Sequence, residues 1–86
     1  MIVSKGFSVT TGYTTAIAAN GSRASELCIQ NNTPGVLYVT IGGSTTDADA
    51  LLIPSGSMLS LSSPVGSVVK MKSTVAGNVV LVGDQL

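Results

Sequence analysis

Gly or Pro interrupts this chain every few residues, with ten glycines and three prolines in 86 positions. No helical repeat survives that punctuation. Between the interruptions Val, Ile, Leu and Thr recur with a period of two, the spacing that sends successive side chains to opposite faces of a strand. The pattern predicts strands at Phe7–Thr10, Tyr13–Ala18, Glu26–Asn31, Val36–Ile41, Ala50–Ile53, Met58–Ser62, Ser67–Ser73 and Asn78–Val82. Short strands at roughly 8–12-residue spacing belong to sandwiches and barrels. The expected fold is therefore all-β, a small antiparallel β-sandwich or partly open, jelly-roll-like barrel of about 7–8 short strands.

Turn chemistry fills the gaps. In Asn31-Asn32-Thr33-Pro34-Gly35 the proline presets φ and the glycine supplies the positive φ of a type II turn, which predicts a hairpin joining the strands of Leu27 and Val39. Gly42-Gly43-Ser44 should end a strand, Pro54-Ser55-Gly56 should form a tight corner, and Ala76-Gly77-Asn78 should close a second hairpin. Thr46 to Ala50 has room for one short helical turn, although a loop leading into a strand is expected there. In Val69-Lys70-Met71-Lys72-Ser73 alternation places both lysines on one face, which must be wet or partner-facing. Asn78-Val79-Val80-Leu81-Val82 is apolar on both faces, as a strand covered twice would be.

Residues 1–24 are rich in Gly, Ser, Thr and Ala and read as an N-terminal arm or peripheral hairpin, with the β-sandwich domain at 25–86. A domain of this length buries only about 60–65% of the surface its unfolded chain exposes, which favours self-association. The doubly apolar last strand offers the contact through Val80, Val82 and the terminal Leu86, whereas a central strand of a monomer fits the same pattern.

Four basic and four acidic residues, no His and one Cys leave little for catalysis. No serine has a base to activate it, and Cys28 reads as a small half-buried apolar residue. No tetrahedral metal site can be assembled, and Asp47 with Asp49 falls short of the six to eight oxygens that calcium requires. The expectation is a protein that is not an enzyme and uses no metal or cofactor. Zero net charge without a Lys/Arg cluster argues against nucleic acid. No secretory core or membrane-length apolar run appears, so the chain is expected to stay where it is made. Asn20-Gly21-Ser22 and Asn31-Asn32-Thr33 are formal sequons that mean only turn chemistry in that setting.

From Glu26 to Val82 the order Leu27-Cys28-Ile29-Gln30-Asn31-Asn32, Val36-Leu37-Tyr38-Val39-Thr40-Ile41-Gly42-Gly43, Leu52-Ile53-Pro54-Ser55-Gly56-Ser57-Met58-Leu59-Ser60-Leu61 and Val79 to Val82 resembles small β-sandwich virion proteins of tailed bacteriophages. Capsid decoration, or cement, proteins are the most similar of these. The corner departs from that family's pattern by one residue inserted between Pro54 and Gly56. The resemblance implies a structural protein made in the host bacterial cytoplasm and carried on the capsid surface of the virion. It also implies a homotrimer bridging capsomers, with the major capsid protein as partner. Ile2, Val3 and Phe7 would then lie on the capsid as an arm that orders on binding. A tail or fibre module and a non-virion β-sandwich module for a glycan or peptide stay open beside it. For glycan contact only Phe7, Tyr13 and Tyr38 could supply a ring.

Overall fold

Period-two alternation resolves into eight strands among the described residues: β1 (Ile2–Val9), β2 (Thr14–Ile17), β3 (Glu26–Asn31), β4 (Leu37–Ile41), β5 (Leu51–Ile53), β6 (Met58–Ser62), β7 (Val69–Ser73) and β8 (Gly77–Asp84). They belong to a computed structural model that describes residues 2–17, 26–62 and 67–84. These strands pair antiparallel throughout. A first sheet has the order β1-β8-β3-β6 and a second the order β2-β7-β4-β5. The chain changes sheet at every connection except that from β4 to β5, which is jelly-roll connectivity and makes the fold a sandwich of two separate sheets.

The two inner faces meet in one core. Leu27, Ile29, Val79 and Leu81 from the first sheet face Leu37, Val39, Ile53, Val69 and Met71 from the second, all buried. Each such side chain contributes roughly 1.5–3 kcal/mol, an upper bound because unfolded chains are partly collapsed. Residues 2–17 share in this core. β1 is an edge strand of the first sheet and β2 an edge of the second, with Val9 only 2% and Ile17 only 8% exposed. The segment is thus woven into the sandwich and is neither a free arm nor a hairpin of its own. Its expected boundary at residue 24 lies outside the described residues.

Both predicted hairpins are corners instead. β3 and β4 lie in different sheets, as do β7 and β8, so residues 31–35 and 73–77 carry the chain across the sandwich. Gly35 is not at positive φ. A Cβ there would strike Thr74 Oγ1 and sit 2.8 Å from the Val75 amide nitrogen, so two corners in contact are what require glycine. Pro54-Ser55-Gly56 does turn tightly: the Ser57 amide donates to Pro54 O at 3.0 Å and Gly56 has φ 79°, the positive value of a type II turn.

A buried polar knot ties these corners together. Asn31, Thr33 and Ser73 are each at most 1% exposed. Asn31 Nδ2 donates to Gly35 O at 2.9 Å and to Ile53 O at 2.8 Å, while Oδ1 accepts from the Thr33 amide at 2.9 Å and the Thr33 hydroxyl at 2.7 Å. Thr33 Oγ1 lies 3.0 Å from Ser73 Oγ, and Ser55 Oγ donates to Thr33 O at 2.6 Å. Asn31 on β3 thereby links the corner after β3 to the end of β5, and Thr33 extends the knot to Ser73 at the end of β7. The sequon at Asn31 is indeed turn chemistry, with its amide nitrogen already engaged.

Candidate functional site

Alternation gives each sheet an outer face, and the two faces differ in kind. On the first sheet one outward row across the strands reads Gly6, Val80, Gln30, Met58, and the next reads Ser4, Val82, Cys28, Ser60. None of the eight carries a charge. Met58 is 64% exposed, and Ile2, at the outer end of β1, is 76% exposed. Ile2 borders a cleft of about 310 Å³ lined by Ile2, Glu26, Leu27, Cys28, Ser60, Val82 and Gly83.

The second sheet presents charge and aromatic rings. Tyr38 on β4 stands opposite Lys72 on β7 and Leu52 on β5, and Lys70 follows Lys72 on the same side. The Lys72 ammonium sits 4.9 Å from the Tyr13 ring centroid and 4.8 Å from that of Tyr38, cation–π distances to both rings. Its third neighbour is Asp47, whose Oδ1 accepts from the ammonium at 2.7 Å and from the Tyr13 hydroxyl at 3.0 Å.

Asp47 reaches this position from the connection between β4 and β5. Thr40 Oγ1 donates to Ser44 O at 2.6 Å and Ser44 Oγ to Asp49 Oδ2 at 2.7 Å. A single 3-10 turn over Asp47–Asp49 follows, with Thr46 before it and Ala50 closing it. Thr40 is buried although its strand position faces outward, because the connection crosses above it.

Electrostatics follow from these contacts. The Lys72 ammonium, helped by the Tyr13 hydroxyl, holds the Asp47 carboxyl below the ordinary 3.8. Burial first, then the hydrogen bond to Asp47, pushes Tyr13 from 10.0 up to about 12. Asp47 is engaged as an acceptor and Tyr13 is kept protonated, so the cluster clamps a strap onto a sheet and offers no poised base. Asp47 and Asp49 are held by Lys72, Tyr13 and Ser44, and among the described residues no group of three or more potential metal ligands occurs.

The residues singled out from the sequence are distributed as follows. Ile2 is exposed beside the cleft, whereas Val3 and Phe7 have the opposite parity, and Phe7 packs against the core. Those three therefore cannot form one capsid-facing patch: alternation separates Ile2 from the other two. Val80 and Val82 do lie together, half-buried on the outer face of the first sheet. Leu86 lies outside the described residues. The tyrosine and lysine cluster was only partly visible in the sequence, as a wet lysine face and two isolated rings.

Fold and faces define a small jelly-roll sandwich whose second sheet is charged across its outer side and whose first sheet is uncharged over two adjacent outward rows, with Glu26 and Asp84 in the row beyond. Among the described residues no helix is long and apolar enough to cross a membrane. No family model matches the chain, and no curated protein does. Among solved structures it is similar to a conserved protein of unknown function from Streptococcus pyogenes, at a TM-score of 0.62 and 16% identity. The match covers 99% of this chain and 65% of that one, so the chain spans less than two thirds of its neighbour's length. At that identity the likeness concerns fold alone.

Proposed function

We propose that the chain is a structural virion protein of a tailed phage, a capsid decoration protein that stabilises the head by bridging capsomers as a homo-oligomer. One observation carries the structural part of this reading: neither sheet covers the outside of the valine-bearing central strand of the first sheet, while the second sheet has a solvated outer face. In a monomer at work in water both outer faces would follow the second pattern. The setting on a capsid rests on the resemblance between Glu26 and Val82, and the jelly roll is a fold suited to it. Strength in such a role comes from many modest contacts acting together and needs no turnover.

The pairing of Tyr13 with Tyr38 favours a second reading, a module that binds a glycan or peptide on the second sheet. Lys72 fills the space between those rings, which leaves the decoration reading ahead. The test is the number of copies per purified virion, by quantitative mass spectrometry against the major shell protein. Hundreds of copies in fixed ratio support decoration. A handful moves the chain to the tail or a fibre, and none removes the virion reading; saturable binding to a glycan panel would then support the second.

A further inference from the structure

A sheet that ends in an unpaired strand offers its backbone donors and acceptors to any other strand, and short, bulged or charged edges blunt that hazard. Three of the four sheet edges are the shorter ones: β2 has four residues and a register shift against β7, β5 has three and β6 has five. β1 has eight, in unbroken register with β8, and among the described residues no strand pairs with its other side.

One hydrogen bond fixes where the backbone groups of β1 point. The Asn32 amide donates to Asn78 O at 3.1 Å, so Asn78 turns its peptide groups towards β3, as do Val80 and Val82 by alternation. Val79, Leu81 and Gly83 then turn theirs towards β1, where they meet Phe7, Lys5 and Val3. The amides and carbonyls of Ile2, Ser4, Gly6 and Ser8 therefore point off the sheet, and all four residues are exposed.

Two β1 strands set antiparallel about a two-fold axis use all of these groups in a single register, with Ile2 opposite Ser8 and Ser4 opposite Gly6. A slip of two residues either way leaves Ser8 or Ile2 outside the ladder. The full register sets Lys5 directly against Lys5 of the other copy, in a non-hydrogen-bonded pair whose Cα atoms lie about 4.5 Å apart. Lys5 is the one charged residue of β1, and it interrupts the row of Val3, Phe7 and Val9 on the core side of the strand. It stands opposite buried Leu81 and is itself exposed.

We infer that Lys5 guards this edge: its charge, met by its own copy across the two-fold, keeps two chains from joining their first sheets into one, while an extended segment that presents a carboxylate at that position is admitted. The guard concerns the margin of the first sheet and not its outer face. It thus goes beyond the assembly reading above, and either can fail without the other.

Sedimentation velocity of the full chain reads the guard as association beyond that of the wild type. Lys5→Thr should self-associate about tenfold more tightly, through loss of the like-charge pair and gain of a cross-strand threonine pair. Adding Gly6→Pro to that variant should return the wild-type value, because proline removes an off-sheet amide and costs the sandwich no ladder bond. Lys5→Glu alone should sediment as the wild type does, whereas an equimolar mixture of the two should contain a species heavier than either. The inference is overturned if Lys5→Thr associates no more than the wild type, if its gain survives Gly6→Pro, if Lys5→Glu associates by itself, or if the mixture is no heavier than its components.

Discussion

The two outer faces of this sandwich are built from strands of the same kind, yet they treat water differently. On the second sheet the outward positions carry Tyr38, Lys70 and Lys72, and a strap closes over Thr40 with its own carboxylate placed on the lysine. On the first sheet the corresponding positions carry Val80, Val82 and Cys28, with no such strap among the described residues. The chain finishes one face by itself, and on the proposed function the other is left to a partner. The charges differ as well: two of the four basic residues, Lys70 and Lys72, stand on the second face, whereas Glu26 and Asp84 fall in the end row of the first, beyond the two uncharged rows.

The largest effect is expected from removing what holds both faces in place. Asn31→Ala deletes four side-chain hydrogen bonds at a buried position and leaves the Gly35 and Ile53 carbonyls short of a donor. A loss of about 3–5 kcal/mol is expected in denaturant unfolding, and it should abolish association together with stability. A loss below about 1 kcal/mol would show that the knot does not clasp the corners.

A smaller effect separates the faces. Lys72→Ala should lower stability by about 1–2 kcal/mol, through its two ring contacts and its packed stem, with the ion pair to exposed Asp47 adding little. It should leave sedimentation unchanged. If this substitution alters the oligomer mass, the second sheet also meets a partner and the contrast between the faces fails.

The smallest effects are those of pH, and they belong to the second face alone. Tyr13 rises from 10.0 unfolded to about 12 folded, so its contribution is complete below pH 10 and is lost as pH climbs from 10 towards 12. Asp47 is lowered from 3.8, so its contribution is present above that value and disappears as pH falls through the lower folded one. Tyrosinate absorbance should show one of the two tyrosines ionising at about 12. Asp47→Asn should bring it down only part of the way to 10.0, because burial is the larger cause. A titration in which Tyr13 ionises at its ordinary value would break the cluster described.

Much of this architecture can be read from alternation. The eight strands fall where period two places them, because each face of a strand has one environment and the pattern is local. β1 is the partial exception: Ser4, Lys5 and Gly6 dilute its alternation, so the strand reading begins late, at Phe7. Pairing is another matter. Asn31 to Gly35 has the composition of a hairpin turn, and whether the next strand joins the same sheet or the opposite one depends on distant partners. The same limit hid the Lys72 cluster, which draws on residues 13, 38, 47 and 72 from four separate segments. Double apolarity at Val80 and Val82 was legible as burial, and only the strand order shows that no part of either sheet of the chain lies over them.

The central claim is that one outer face is covered by a partner and the other is not. Hydroxyl-radical footprinting of the wild-type chain across a dilution series reads both faces in one experiment, with Cys28 and Met58 reporting on the first sheet and Tyr38 on the second. Oxidation of Cys28 and Met58 should rise as the chain is diluted while that of Tyr38 stays constant. Equal, concentration-independent reactivity at all three would contradict the account and leave a sandwich with two solvated faces.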